Sequence, residues 1–146
     1  MMELAELNTM WAKDCKIDET NISGELRKIP ELHNKYYMFY VKAGLRTSKA
    51  RAELVELTKA KTEYYNGSMD PLELKERGWS PNPLKILRQD INKYIESDKD
   101  IINLSLTIEY LSSIEHYLED IVKQINNRNF IFTNYIKWET FRSGGV

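Results

Sequence analysis

The chain has 146 residues, of which 42% are hydrophobic and 29% charged, with six glycines and four prolines. This is one domain's worth of ordinary globular composition, and it excludes a disordered or collagenous chain. The net charge of −1 hides an uneven distribution: residues 1–25 carry six acids and two bases, whereas residues 26–66 carry nine bases and four acids. A polyanion site can therefore sit inside a neutral chain. No apolar run reaches the length of about 18 residues needed to cross a membrane. The acidic opening Glu3-Leu4-Ala5-Glu6 lacks the basic start of a signal peptide. Cys15 stands alone, so no internal disulfide or multi-cysteine zinc site is expected, and a single thiol suits a reducing compartment.

Taken in order, the elements are helices. Leu4, Leu7 and Trp11 recur at helical spacing with Lys13 in the last turn. A polar break at Asp14-Cys15-Lys16 follows, and Asp18 is a candidate N-cap. Val41, Leu45, Ala52 and Val55 keep one face apolar across Gly44, which predicts a helix from about Pro30 to Asn66 with Gly67 as its C′ residue. Asp70-Pro71 starts a short helix that Gly78 stops. Another begins at Pro83, with Leu84, Leu87, Ile91, Tyr94 and Ile95 on one face. Ser97-Asp98-Lys99-Asp100 resembles a capping box. It opens the longest helix, about 98–127, where Leu111, Ile114, Leu118, Ile121 and Ile125 repeat at 3, 4, 3, 4 as an a/d seam. Ile102, Leu106, Tyr110, Tyr117 and Val122 lie off that seam and give the helix a second apolar face. Asn126–Asn129 end it. A short final helix holds Phe130, Ile131, Phe132, Tyr135, Ile136, Trp138 and Phe141. The expected fold is all-α, in three regions: a basic 1–66, a linker with short helices over 67–96, and an apolar 97–146.

No Walker A loop, dinucleotide fingerprint, nucleophile elbow or zincin motif is present. His33 and His116 are far apart, and acid pairs such as Glu119-Asp120 read as solvated charges. An enzyme is disfavoured, and no cofactor or metal is expected. The positive signal lies between Lys35 and Lys61, where Lys35-Tyr36-Tyr37-Met38-Phe39-Tyr40-Val41-Lys42 interleaves bases with aromatics. On one helix Lys35, Lys42, Arg46 and Lys49 share a stripe, at separations of 7, 4 and 3. Such a stripe can track phosphates, and rings beside it can stack unpaired bases. The competing reading makes the tyrosines core and the stripe a solvated face. The apolar C-terminal half likewise suits either an intramolecular bundle or symmetric self-association.

Three stretches carry a resemblance. Lys13-Asp14 is followed by Ile17-Asp18-Glu19-Thr20. Lys59-Ala60-Lys61-Thr62-Glu63-Tyr64-Tyr65-Asn66-Gly67 is similar to a family stretch reading lysine-alanine-arginine-leucine-aspartate-tyrosine-tyrosine-serine-glycine. Ser97-Asp98-Lys99-Asp100-Ile101 leads through the long helix to Phe130, Ile136 and Phe141-Arg142-Ser143-Gly144. In this order and spacing they resemble the UvsY family, the recombination mediators of T-even-like bacteriophages. The resemblance implies a non-enzymatic helical protomer in a ring-like homo-oligomer, hexameric or heptameric, working in the cytoplasm of the infected bacterial host without a membrane. It implies binding to single-stranded DNA and loading of a UvsX-type recombinase onto strands coated by the phage single-strand binding protein. It assigns Lys59 and Lys61 to DNA. It assigns oligomerisation to the region of Phe130, Tyr135, Ile136, Trp138 and Phe141 and part of the long helix, which places Leu111, Leu118 and Ile125 there.

Two departures matter. The family arginine is Lys61, which keeps the charge but loses the planar fork. Residues 68–93, with Trp79, match poorly. Lys59 and Lys61, two residues apart on a helix, point to nearly opposite sides. Either DNA follows the helix flank, or the helix frays toward Gly67, or one lysine serves a neighbouring subunit. Glu56 and Glu63 weaken the field of the pair, so Arg46, Lys49 and Arg51 join the candidate site, with Lys42 and Lys35. The alternatives are a helical assembly or adaptor module without nucleic-acid binding, and an RNA-binding helical protein, which needs contacts to 2′-hydroxyls.

Overall fold

The computed structural model describes residues 2–82 and 85–145. Six helices are present among them: α1 (Leu4–Asp14), α2 (Ile22–Asn66), α3 (Pro71–Arg77), α4 (Ile91–Glu96), α5 (Lys99–Asn126) and α6 (Arg128–Arg142). No described residue is in a strand, as the sequence predicts. The chain forms two compact units, Met1–Gly44 with Ser112–Val146, and Leu45–Leu111, and the long helices α2 and α5 contribute to both.

The first unit is built on the α5 seam. Ile114, Leu118, Ile121 and Ile125 are buried with Leu7 of α1 and with Tyr36 and Ala43 of α2. The 3, 4 spacing puts these α5 side chains on one stripe, which is why they reach a common core. Leu118 and Ile125 are therefore committed inside their own protomer, and Leu111 is buried in the second unit. These three side chains are thus taken up within the chain's own packing.

The start of α2 also differs from expectation. The Asp18 carboxylate closes a turn by accepting from the Thr20 N–H and hydroxyl, and the cap is instead Asn21, whose side-chain oxygen accepts the Gly24 N–H at 3.2 Å. The helix then runs through Pro30. The residues before this proline stay helical because Ile29 and Leu32 pack on the core and Glu25 is buried against Arg128 of α6. Tertiary contacts thereby offset the missing hydrogen bond of an interior proline.

The buried face of α2 is not the one expected. Leu45 and Val55 are exposed, whereas Tyr36, Ala43, Thr47, Ala50, Ala60 and Lys61 are buried. These residues, with the half-buried Leu54 and Leu57, follow a 3, 4 rhythm on small and polar side chains. Small residues let another chain segment approach closely, so they mark a contact face that a search for large apolar residues passes over.

In the second unit, Ile91, Ile95 and Ile101 pack with Leu54, Leu57, Tyr65 and Ile86. The Asp70 side chain caps α3 by accepting the Leu72 N–H at 2.9 Å, and Gly78 ends it at φ 69°. That left-handed conformation favours glycine. The helix expected from Pro83 starts only at Ile91: residues 85–87 are irregular and 88–90 form a turn, while Pro83 and Leu84 lie outside the described residues. Ile86 and Ile91, five apart, would sit about 140° apart on one helix, and the turn lets both reach the same cluster. Ser97 is not the cap of α5. Asp98 is, accepting the N–H groups of Asp100 at 2.9 Å and Ile101 at 3.3 Å.

Two substitutions test this packing. Leu118→Ala is expected to cost about 3 kcal/mol by opening a cavity in the seam. Ala43→Leu is expected to cost about 1–3 kcal/mol by overpacking. Urea unfolding followed by circular dichroism reads both, with Cys15→Ser, at an exposed position, as the near-neutral control.

Candidate nucleic-acid interface

The cations of α2 separate into free and committed groups. In the second unit Lys49, Arg51 and Lys59 are exposed and Arg46 is half-buried. Among the described residues none of these four lies within 4 Å of a carboxylate, so their charge faces solvent. Lys59 borders a shallow depression with Glu56, Ala60, Glu63, Glu73 and Arg77, in which Arg77 is paired with Glu73 at 3.2 Å. In the first unit Lys42 is exposed and likewise unpaired. Lys35 is held by Asp14 at 2.6 Å, and the same carboxylate oxygen accepts the Tyr36 hydroxyl at 2.7 Å.

Lys61 is not a surface cation. Its side chain is 6% exposed, and its ammonium donates to Asp100 Oδ2 at 2.8 Å and lies 3.0 Å from Asp98 Oδ2. The Trp79 ring centroid is 4.0 Å from Nζ. Lys59 and Lys61 thus point apart, as a two-residue separation on a helix requires, one into solvent and one into the protein. Asp98 is 7% exposed and also accepts the Tyr65 hydroxyl at 2.5 Å. Arg77 stands 5.1 Å from the Trp79 ring, and Tyr64 packs edge-on against it at 5.4 Å. Trp79, Asp98 and Asp100 were not singled out from the sequence as site residues. The available signal was the N-cap position of Asp98, which aims a carboxylate at a helix start wherever a cation packs nearby.

The aromatic residues of α2 divide similarly. Tyr36 is fully buried and meets Trp11 edge-on at 5.2 Å, while Phe39 and Tyr40 pack on the same core. Only Tyr37 of these four is exposed, stacked on His33 at 5.5 Å. Three of the four rings are therefore structural.

Helix α6 presents an aromatic face to solvent. Phe132 is buried, whereas Phe130 (64%), Trp138 (60%) and Phe141 (74%) are exposed, with Ile136 also exposed and Tyr135 half-buried. Phe130 and Phe141 lie two and nine residues from Phe132, which puts both on the opposite side of the helix. Arg128 anchors the helix: it is buried, donates to the Asp14 carbonyl at 2.8 Å and lies 3.8 Å from Glu25. No cluster of three His, Cys, Asp or Glu among the described residues could hold a metal ion, and no described helix is long and apolar enough to cross a membrane.

Fold and surface together describe a helical protein with free cations along one long helix and an uncovered aromatic face on its last. The family model for "recombination, repair and ssDNA binding protein UvsY" matches residues 10–145. The chain belongs to the UvsY family. Crystal structures of the bacteriophage T4 recombination mediator protein UvsY share its fold. In one lattice the TM-score is 0.83 at 19% identity, covering 98% of this chain and 99% of that one. In a second lattice the TM-score is 0.81 at 19% identity, with 96% and 99% covered. A comparison with curated proteins finds no match.

The buried ion pairs set the pH response. Burial opposes the charge of Lys61, but its hydrogen bonds to Asp100 and Asp98 outweigh this and hold the ammonium above its ordinary value. Burial also opposes the charge of Asp98, and the Tyr65 and Lys61 contacts still bring it below the ordinary carboxylate range. Asp14 is lowered in the same way by Lys35 and Tyr36. Tyr36 and Tyr65 are pushed well up, by burial first and then by their carboxylate partners. The raised groups contribute stability that is complete below about pH 10 and lost as pH rises through their folded values. The lowered carboxylates contribute stability that is present above about pH 4 and lost as pH falls. Urea midpoints measured from pH 2 to 12 are expected to form a plateau that falls at both ends.

Proposed function

We propose that this chain is a recombination mediator that binds single-stranded DNA as a ring-like homo-oligomer of six or seven copies. In this reading it promotes loading of a UvsX-type recombinase onto strands coated by the phage single-strand binding protein, in the cytoplasm of the infected bacterial host. Family membership over residues 10–145 carries the proposal. The unpaired cations of α2 support it at the level of residues.

Lys59, Lys49, Arg51 and Lys42, with Arg46 beside them, contact phosphate. The four lysine and arginine side chains other than Arg46 are single exposed charges, and Glu56 and Glu63 stand near Lys59, so one protomer binds weakly. A closed ring repeats the patch, and avidity turns weak contacts into tight binding. Phosphate contacts carry no base code, so binding is tolerant of sequence. Lys35 is left out because Asp14 already neutralises it. Ring contacts use the exposed face of α6 that carries Phe130, Trp138 and Phe141, and the half-buried Tyr135 and exposed Ile136, three and four residues after Phe132, extend the contact on the Phe132 side. No catalytic residue is required, since the work is to bend a strand, loosen its coat and present backbone to the recombinase.

Anisotropy of a labelled oligo(dT) across a salt series tests the DNA half. The native protein is expected to prefer single strands over duplex competitor. Lys59→Ala should make the log–log salt slope shallower by about 0.7 per subunit engaged. No binding at low salt would remove the proposal. Sedimentation tests the ring: Trp138→Ser with Phe141→Ser should shift the native oligomer to smaller species, and a native monomer at micromolar concentration would overturn the assembly.

A further inference from the structure

The two lysines of Lys59-Ala60-Lys61 do different work. An ammonium has three N–H groups and no acceptor. Two carboxylates lie within 3.0 Å of Lys61 Nζ, at Asp100 and Asp98, and the Trp79 ring stands 4.0 Å from it. A phosphate reaching Lys61 would have to displace these partners and would meet two negative charges as it came. It would also strip Asp98 of a cation while that carboxylate still caps α5.

Lys61 and Tyr65 are one helical turn apart, and both bind Asp98. Between them they pin the last turns of α2, which end where Gly67 breaks the helix at φ 81°. Asp98 in turn fixes the first turn of α5, and Trp79 closes over the ammonium from the segment after α3. Lys59 lies in the pinned region and faces outward.

Within the DNA-binding reading proposed above, we infer that Lys61 is a positioning residue for the single-strand site: it holds the end of α2 on Asp98 and Asp100 so that Lys59 is presented, and it makes no phosphate contact itself. The segment then neutralises one phosphate per subunit rather than two. Arginine at this position keeps the charge and can serve the same pair of carboxylates, whereas a neutral amide cannot.

The test uses the full-length protein and labelled oligo(dT) in a salt series, with Lys59→Gln, Lys61→Gln, Lys61→Arg and Tyr65→Phe beside the native chain. Lys59→Gln is expected to lower the salt slope by about 0.7 per engaged subunit. Lys61→Gln is expected to weaken binding and to lower the slope by no more than Lys59→Gln does, and adding it to Lys59→Gln should lower the slope no further. Tyr65→Phe, which removes no charge, should weaken binding in the same direction, and Lys61→Arg should keep binding near the native level. A further drop of about 0.7 per engaged subunit when Lys61→Gln is added to Lys59→Gln overturns the inference.

Should Lys61→Gln fail to fold, acetylation of the unsubstituted protein read by mass spectrometry decides. Lys59 should react in the free protein and be protected by oligo(dT), and Lys61 should stay unreactive in both. A Lys61 that reacts when free and is protected by the strand overturns the assignment. Failure of the native protein to bind oligo(dT) at all is a different result, since it removes the proposed function and this inference with it.

Discussion

Asp98 ties together several parts of the second unit. It caps α5 through two backbone N–H groups, takes the Tyr65 hydroxyl and neutralises Lys61. A carboxylate this buried is stable only because every one of these partners is present. Such a network is weak evidence for net stability, because desolvating the charges offsets most of their attraction. Its value is geometric. It admits one arrangement of the end of α2 and the start of α5, since any other leaves a charge buried and unpaired.

The first unit shows the same division between an apolar seam and a polar fixing point. The α5 seam supplies the burial, and contacts from Arg128 to Glu25 and the Asp14 carbonyl fix where α6 begins. Because Phe132 and Arg128 hold one side of α6 inward, its opposite side is turned out. Phe130, Trp138 and Phe141 are thereby left with no partner in the first unit's core. An amphipathic helix normally has a polar outer face. A helix that buries one aromatic and exposes three departs from that pattern.

The basic segment works by a similar economy of position. Its total charge of nine bases and four acids suggests a continuous stripe. In the folded chain Lys35 and Lys61 are neutralised internally, and the outward-facing cations are fewer and more widely spaced. A surface of this kind suits a ligand with evenly repeated charge, such as a phosphate backbone.

The α class, the α5 seam, the Asp70 and Gly78 limits of α3 and the basic bias of α2 were all legible from residue type and spacing. They are local properties: periodicity, capping and punctuation act over one or two turns. The family resemblance was legible from motif order. The buried face of α2 was not, because it is lined by Ala43, Thr47, Ala50 and Lys61 rather than by large apolar residues, and only packing shows which stripe turns inward. The delayed start of α4 and the passage of α2 through Pro30 depended on contacts far away in sequence. The fate of each lysine did too. Sequence alone determined that Lys59 and Lys61 must face opposite ways, because helical geometry leaves no choice. Which of them turns inward was decided by Asp98, Asp100 and Trp79, residues 18 to 39 positions away that only the folded chain brings to Lys61.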